Sequence, residues 1–236
     1  KASVSGIDTR EKIMTAIWIR KLKGMNMNFR LEQPADYRAV ENLTREAFWN
    51  HHVPGCNEHY LLHIMRDCTA FIRELDIIAE IDGEIVGNIV YTKASVIGDD
   101  KIRREVLCFG PISVLPDFWA KGVGSALIEY TTAKAKKLGY RAVLIYGDPE
   151  YYQRFGFVPA ETFDIRTPDN MYAVPLQASE LWKGALDGCG GRFFEDPVYD
   201  VDEDAAVEFD KTFPHKELRD DLPSQKRFRQ LVKLGV

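Results

Sequence analysis

From Asn28 onward the apolar and polar positions follow a rhythm that can be read directly. "NFRLEQ", Asn28 to Gln33, alternates as a half-buried strand does. "PADYRAVENLTREAFW" opens on Pro34, which suits a first helical turn, and carries an apolar stripe of Val40, Leu43 and Ala47. Pro54 and Gly55 break the chain, and "EHYLLHIMRDCTAFI" predicts a second helix. "DIIAEIDGEIVGNIVYTKASVIG" is two β-rich runs around Asp82-Gly83, a preferred two-residue hairpin turn. "EVLCFGPISVL" predicts a further strand, and Gly110-Pro111 inside it predicts a bulge or a break in pairing. "GVGSALIEYTTAKAKKL" reads as a helix closed by Gly139, with Lys134, Lys136 and Lys137 in its last turns. "RAVLIYGD" is apolar enough for a strand covered on both faces. "PEYYQRFG" gives one or two helical turns ending at Gly156, and "FVPAETFDI" and "NMYAVPLQ" read as two more strands. The order β-α-α-β-β-β-α-β-α-β-β predicts an α/β fold with a mixed sheet and one strand–helix–strand crossover. After Leu186 the pattern weakens. The stretch from Glu195 to Asp210 has room for one strand and one helix, and the tail from Leu222 reads as helical or frayed.

Charge changes this picture little, but it is unevenly spread over the 236 residues. Residues 1–27 hold six basic and two acidic side chains, and residues 211–236 hold seven and three, each net +4. With a total of −5, the middle of the chain carries −13. An acidic body disfavours nucleic acid and suits a cationic small substrate, although solubility alone also accounts for it. The apolar runs fall far short of a membrane span, and the N-terminal segment is too broken by charge for a secretory signal, so the expected location is cytoplasmic. Residues 1–26 read as an N-terminal extension or remnant. Cys56, Cys68, Cys108 and Cys189 contain no C-x-x-C, and they read as reduced thiols rather than zinc ligands.

The sharpest local signal is "FGPISVLPDFWAKGVGSALI", Phe109 to Ile128. A strand delivers the chain into a helix whose first turn has unpaired N–H groups and the positive end of the dipole. Gly122 and Gly124 remove Cβ atoms that would block a ligand, Lys121 adds charge, and Ser125 adds a hydroxyl. This is the chemistry of a phosphate cradle. A Walker loop fails because the lysine precedes the glycines. A dinucleotide fingerprint fails because Leu127 stands where its third glycine belongs.

"ISVLPDFWAKGVGSALI" resembles motif A of the GNAT superfamily of acetyl-CoA-dependent N-acetyltransferases, with Val114, Pro116, Gly122 and Gly124 at the matching offsets. It departs at Trp119, where the family has Gln or Arg. "YGDPEYYQRFGFVPA" resembles motif B, with Tyr152 four residues before Gly156-Phe157. The "GDPxYYxRFGF" form looks like a bacterial subgroup of GNAT proteins. The resemblance covers roughly Asn28 to Leu176, and it implies a GNAT fold: a mixed, mostly antiparallel central sheet flanked by helices. A domain over 27–180 would carry a C-terminal extension, 181–236, packed on it.

In residue terms, the resemblance implies that the backbone of Ile112, Ser113 and Val114 meets the pantetheine arm of coenzyme A. The N–H groups of Trp119, Lys121, Gly122, Val123, Gly124 and Ser125 would hold its pyrophosphate. Trp119 would either cover the cofactor or stand as a surface aromatic. Tyr152 matches the general acid that protonates the leaving thiolate, and Tyr151 beside it reads as structural. Base candidates are Glu105, Asp148 and Glu150; Asp148 before Pro149 is also a natural helix cap. An acyl-cysteine route through Cys108 is less favoured than direct transfer. Trp49, His51, His52, Glu58 and His59 are the candidates for acceptor contact. His59 and His63 are four apart, but with no third ligand evident they carry no metal reading. The implied function is acetyl transfer from acetyl-CoA to the amine of a small molecule or peptide, with no metal. The rival is a GNAT-fold module that binds acyl-CoA without turnover. Oligomeric state is not legible, though many members of the family look dimeric.

Overall fold

The computed structural model describes residues 26–233, so the expected N-terminal extension lies outside the described residues, its last residue aside. Strand β1, Met27–Leu31, pairs antiparallel with β2, Ile77–Ile81. Between them come α1, Tyr37–Phe48, and α2, Glu58–Met65. Helix α1 turns Val40, Leu43, Thr44 and Ala47 inward, the spacing that aligns side chains on one helical face. Helix α2 stops at Met65, short of the expected run to Ile72. Arg66 leaves the helix to meet buried carboxylates: Glu32, with Nη2 at 2.7 Å, and Glu41, with Nη1 at 2.6 Å.

The Asp82-Gly83 turn joins β2 to the long strand β3, Glu84–Gly98, with both turn residues at positive φ as a tight hairpin requires. Strand β4, Arg103–Val114, runs back along β3. Its register shifts where Ile89 faces Ile112 and Tyr91 faces Phe109, so Gly110 and Pro111 together oppose Val90. This is a β-bulge at the dipeptide that predicted one. Helix α3, Val123–Lys137, crosses to β5, Ala142–Tyr146, which is parallel to β4. Helix α4, Pro149–Tyr152, leads to β6, Val158–Pro159, and then to β7, Ile165–Arg166, and β8, Leu176–Glu180. The strand expected over "NMYAVPLQ" therefore begins late. Pro175 has no N–H for the ladder, and the chain pairs with β5 only after it. The strand expected over "FVPAETFDI" survives as β6 and β7, separated by a 3₁₀ turn and by Asp164 at φ 55°.

The C-terminal residues join the same sheet. Strand β9, Gly191–Phe194, adds to β3 beyond the end of β2, with Ser95 opposite Phe194, and β7 pairs parallel with it. Helices α5, Glu203–Asp210, and α6, Pro223–Lys233, follow. The nine strands form one mixed, mostly antiparallel sheet with helices on both faces. Alternation along the strands separates the core. Leu107 and Phe109 pack with Leu127 and Ile128 of α3, whereas Val106 and Cys108 turn to the other face with Leu144 and Phe193.

Asp76 lies beside the Arg66 network and accepts from Asn88 Nδ2 at 3.1 Å. Burial, then the neighbouring Glu32 carboxylate, pushes its pKa well above the usual carboxylate range. The folded chain thus keeps a proton that the unfolded chain gives up above about pH 4. Bound protons in excess in the folded state make stability fall as pH rises. Asp76→Asn is expected to flatten this slope, read as the urea midpoint between about pH 5 and about pH 8.

Candidate active site

Strands β4 and β5 touch at one pair, Leu107 and Val143, and then separate. The gap opens beside the bulge. Leu115 N–H donates to Val86 O on β3, so alternation turns Ser113 toward β3 and leaves the backbone groups of Ile112 and Val114 facing the gap. Ser113 is wholly buried, and its hydroxyl donates to Thr44 Oγ1 at 3.0 Å. Of the three β4 residues, only Ile112 and Val114 present backbone groups to the gap.

Beyond β4, the amides of Trp119 and Lys121 close a turn onto Pro116 O and Phe118 O. Ala120 N–H and the amides from Gly122 to Ser125 make no such turn bond, and Gly122 sits at φ 91° as the N-cap of α3, a conformation that favours glycine. Tyr151 reaches this helix start. Its hydroxyl would lie 3.1 Å from a Cβ at Gly124, close to Ser125. Tyr151 therefore stands over the glycine loop. The Trp119 indole N–H donates to Val114 O at 2.7 Å, and its ring meets His51 edge-on at 5.9 Å.

On the far wall, Asp148 caps α4 by accepting from Glu150 N at 3.0 Å. Helix α4 holds the Tyr152 ring flat against Gly147, where a Cβ would come within 2.3 Å of Cε2. Phe109 and Phe157 pack on the same ring, with centroids at 5.9 and 5.6 Å. Burial pushes the Tyr152 phenol well above its ordinary range, so it stays protonated at neutral pH.

The expected acceptor residues divide. His51 and His52 stand together beside Trp119, and His52 Nδ1 lies 3.3 Å from Glu58 Oε1. Burial, then His52, lowers the pKa of His51 and keeps it neutral. Trp49 and His59 are instead held under the C-terminal segment. The Trp49 indole donates to Glu217 O at 2.9 Å. His59 is fully buried, with Nε2 3.1 Å from Asp210 Oδ1, and burial lowers its pKa to about 4. His59 is thus a core residue rather than the lining of an opening, whereas Trp49 stays partly exposed. The same segment crosses the loop after α1 and reaches α4. Phe228 stacks on His52 at 4.6 Å, and Arg227 donates to both Asp148 oxygens at 2.9 and 3.0 Å.

Fold and site together define an α/β protein with a split sheet opening beside a glycine-started helix. Residues 73–159 match the acetyltransferase (GNAT) domain. The chain is 26% identical over 165 residues to the uncharacterized N-acetyltransferase YhbS of Escherichia coli (strain K12), spanning 70% of this chain and 93% of that protein. It is 33% identical over 110 residues to the uncharacterized N-acetyltransferase YjhQ of the same strain, spanning 46% of this chain and 56% of that one. The crystal structure of Escherichia coli YhbS in complex with CoA superposes with a TM-score of 0.67 at 23% identity, over 75% of this chain and 94% of that one. A GNAT family acetyltransferase from Brucella melitensis in complex with acetyl-CoA gives 0.60 at 24% identity, over 74% and 99%. The chain is thus similar to GNAT N-acetyltransferases, with the match to the domain family lying over residues 73–159.

Proposed function

We propose that the protein is an acetyl-CoA-dependent N-acetyltransferase that moves the acetyl group directly to an amine, with Tyr152 as general acid. The observation that carries this reading is the gap itself. The backbone of Ile112 and Val114 borders one wall, the α3 amides from Gly122 stand at one end, and the Tyr152 phenol lies against the other wall. The pyrophosphate sits on the helix start, where dipole and unpaired amides favour an anion. The pantetheine follows β4 and brings the thioester to the bulge. The two relatives solved with CoA and acetyl-CoA share this fold and support the cofactor. Among the described residues, no helix is long and apolar enough to cross a membrane.

Calorimetry with CoA tests the cradle. Gly124→Val is expected to weaken binding about tenfold or more, about 1.4 kcal/mol. Its Cβ would meet the Tyr151 hydroxyl at 3.1 Å and its methyls would fill the space over the helix start. Unchanged affinity would sink the cradle. The second reading, a CoA-binding module without turnover, draws on the Trp119 indole, which occupies the Val114 carbonyl that a pantetheine amide would use. Tight CoA binding with no thiol release across an amine panel would decide for the module.

A further inference from the structure

The scheme above lacks a base, and the three carboxylates expected to supply one are each engaged by a cation. Glu105 is exposed near the start of β4, with Lys93 Nζ at 3.2 Å. Asp148 and Glu150 both pair with Arg227. A fourth carboxylate stands elsewhere. Glu195 directly follows β9 and is half-buried, and Cys108 Sγ donates to its Oε1 at 3.2 Å across 87 residues of chain. Cys108 lies two residues before the bulge glycine. Tyr199 donates to the carbonyl of that glycine, Gly110, at 3.3 Å, and accepts from Thr92 Oγ1 at 3.3 Å. Phe193 packs at 6.1 Å on Tyr146, which ends β5 and is 41% exposed, so the opposite strand of the gap presents a ring there. Glu195 has no Lys, Arg or His ion-pair partner among the described residues.

The side of the sheet matters. Leu107 and Phe109 face α3 and the glycine loop, whereas Cys108 and Glu195 lie on the opposite face. A thioester threaded from the α3 side therefore meets an unpaired carboxylate on the opposite face of the sheet. We propose that Glu195 is the general base of the transfer, receiving a proton from an aliphatic ammonium acceptor held between Tyr146, Tyr199 and the bulge. The inference rests on the acetyltransferase reading.

The step balances. The Glu195 carboxylate takes one proton from the ammonium, and the freed nitrogen lone pair forms the C–N bond at the thioester carbonyl. The tetrahedral intermediate then breaks its C–S bond, and the electron pair leaves on sulfur, which takes the Tyr152 proton. The surplus proton on the new amide nitrogen returns to the Tyr152 phenolate, and the Glu195 proton passes to solvent. The products are an amide, CoA thiol and one proton. Burial raises the pKa of Glu195 and the Cys108 hydrogen bond lowers it, with the balance above the ordinary carboxylate range. The titratable groups that face it are Cys108 of β4, Tyr146 of β5 and Tyr199, and burial pushes all three upward, so none carries charge near neutral pH.

The test uses the full chain, acetyl-CoA and a panel of alkylamines, read as CoA thiol release across pH. Glu195→Gln is expected to lower kcat/KM by about 100-fold or more and to remove the acid limb, while CoA binding stays unchanged. Cys108→Ala keeps the carboxylate and deletes its donor, so it should move the acid limb to higher pH with only a small loss of rate. It also keeps the test valid if Glu195→Gln folds poorly. Wild-type turnover with Glu195→Gln at a comparable rate, or with the Cys108→Ala limb unmoved, overturns the base assignment alone. Wild type that binds CoA but releases no thiol with any amine overturns the acetyltransferase reading, and the base with it.

Discussion

Tyr152→Phe is expected to lower kcat by about 100-fold, at the lower end of what a positioned acid contributes, and to leave CoA affinity as it was. The low end follows from the leaving group. A thiol with a pKa near about 8.5 departs as thiolate far more readily than an alkoxide would, so it needs less help. Affinity should survive because phenylalanine keeps the ring that fills the space between Gly147, Phe109 and Phe157. The two kinetic constants separate the cases: a loss shared equally by kcat and kcat/KM marks an interaction made in the transition state, whereas a rise in KM alone marks ground-state binding. Because burial holds the phenol protonated, the wild-type rate should show no loss of acid function through pH 9, about one unit below an ordinary tyrosine. An unchanged kcat would remove Tyr152 from the chemistry. Attention would then pass to Tyr151, whose hydroxyl stands at the helix start beside Ser125.

What could be read from the sequence was local. The Asp82-Gly83 hairpin, the bulge at Gly110-Pro111 and the glycine-started helix are each set by the backbone chemistry of two or three adjacent residues. What escaped depends on contacts between distant segments. Glu195 sits in a weakly patterned acidic stretch, and only the addition of β9 to β3 brings it to Cys108. His59, four residues before His63 on α2, is a candidate for acceptor contact from its place in the first two helices. The sequence could not reveal that α5 and the turn after it would bury His59 under Asp210 and Phe213. Likewise, α2 looked longer because the apolar stripe continues past Met65. The chain turns there because the Arg66 guanidinium has two buried carboxylates to satisfy, and helix propensity is a weak force beside that.

That guanidinium carries the largest expected effect on stability. Arg66 is nearly inaccessible, its side chain 4% exposed, and the side chains of Glu32 and Glu41 are 0% and 6% exposed. It donates to both Glu32 oxygens, at 2.9 and 2.7 Å, and to Glu41 at 2.6 Å, and the Tyr37 ring lies 4.1 Å from its central carbon. Arg66→Ala leaves the buried Glu32 carboxylate without a cation and Glu41 with only the half-exposed Arg38 and His63 beside it, and it is expected to cost about 3–5 kcal/mol, because removing one partner of a buried pair strands the other charge. In a chain of this size that corresponds to a fall in Tm of about 10 °C or more. Lost packing alone would give a different pattern. Arg66→Met restores most of the volume, yet both carboxylates remain, so it should be nearly as damaging. Adding Glu32→Gln and Glu41→Gln to Arg66→Met should recover most of the loss, since a polar or apolar set without net charge no longer pays for desolvation. Urea denaturation of the three variants separates the two causes. If Arg66→Met were as stable as wild type, the network would owe its stability to shape rather than to charge pairing.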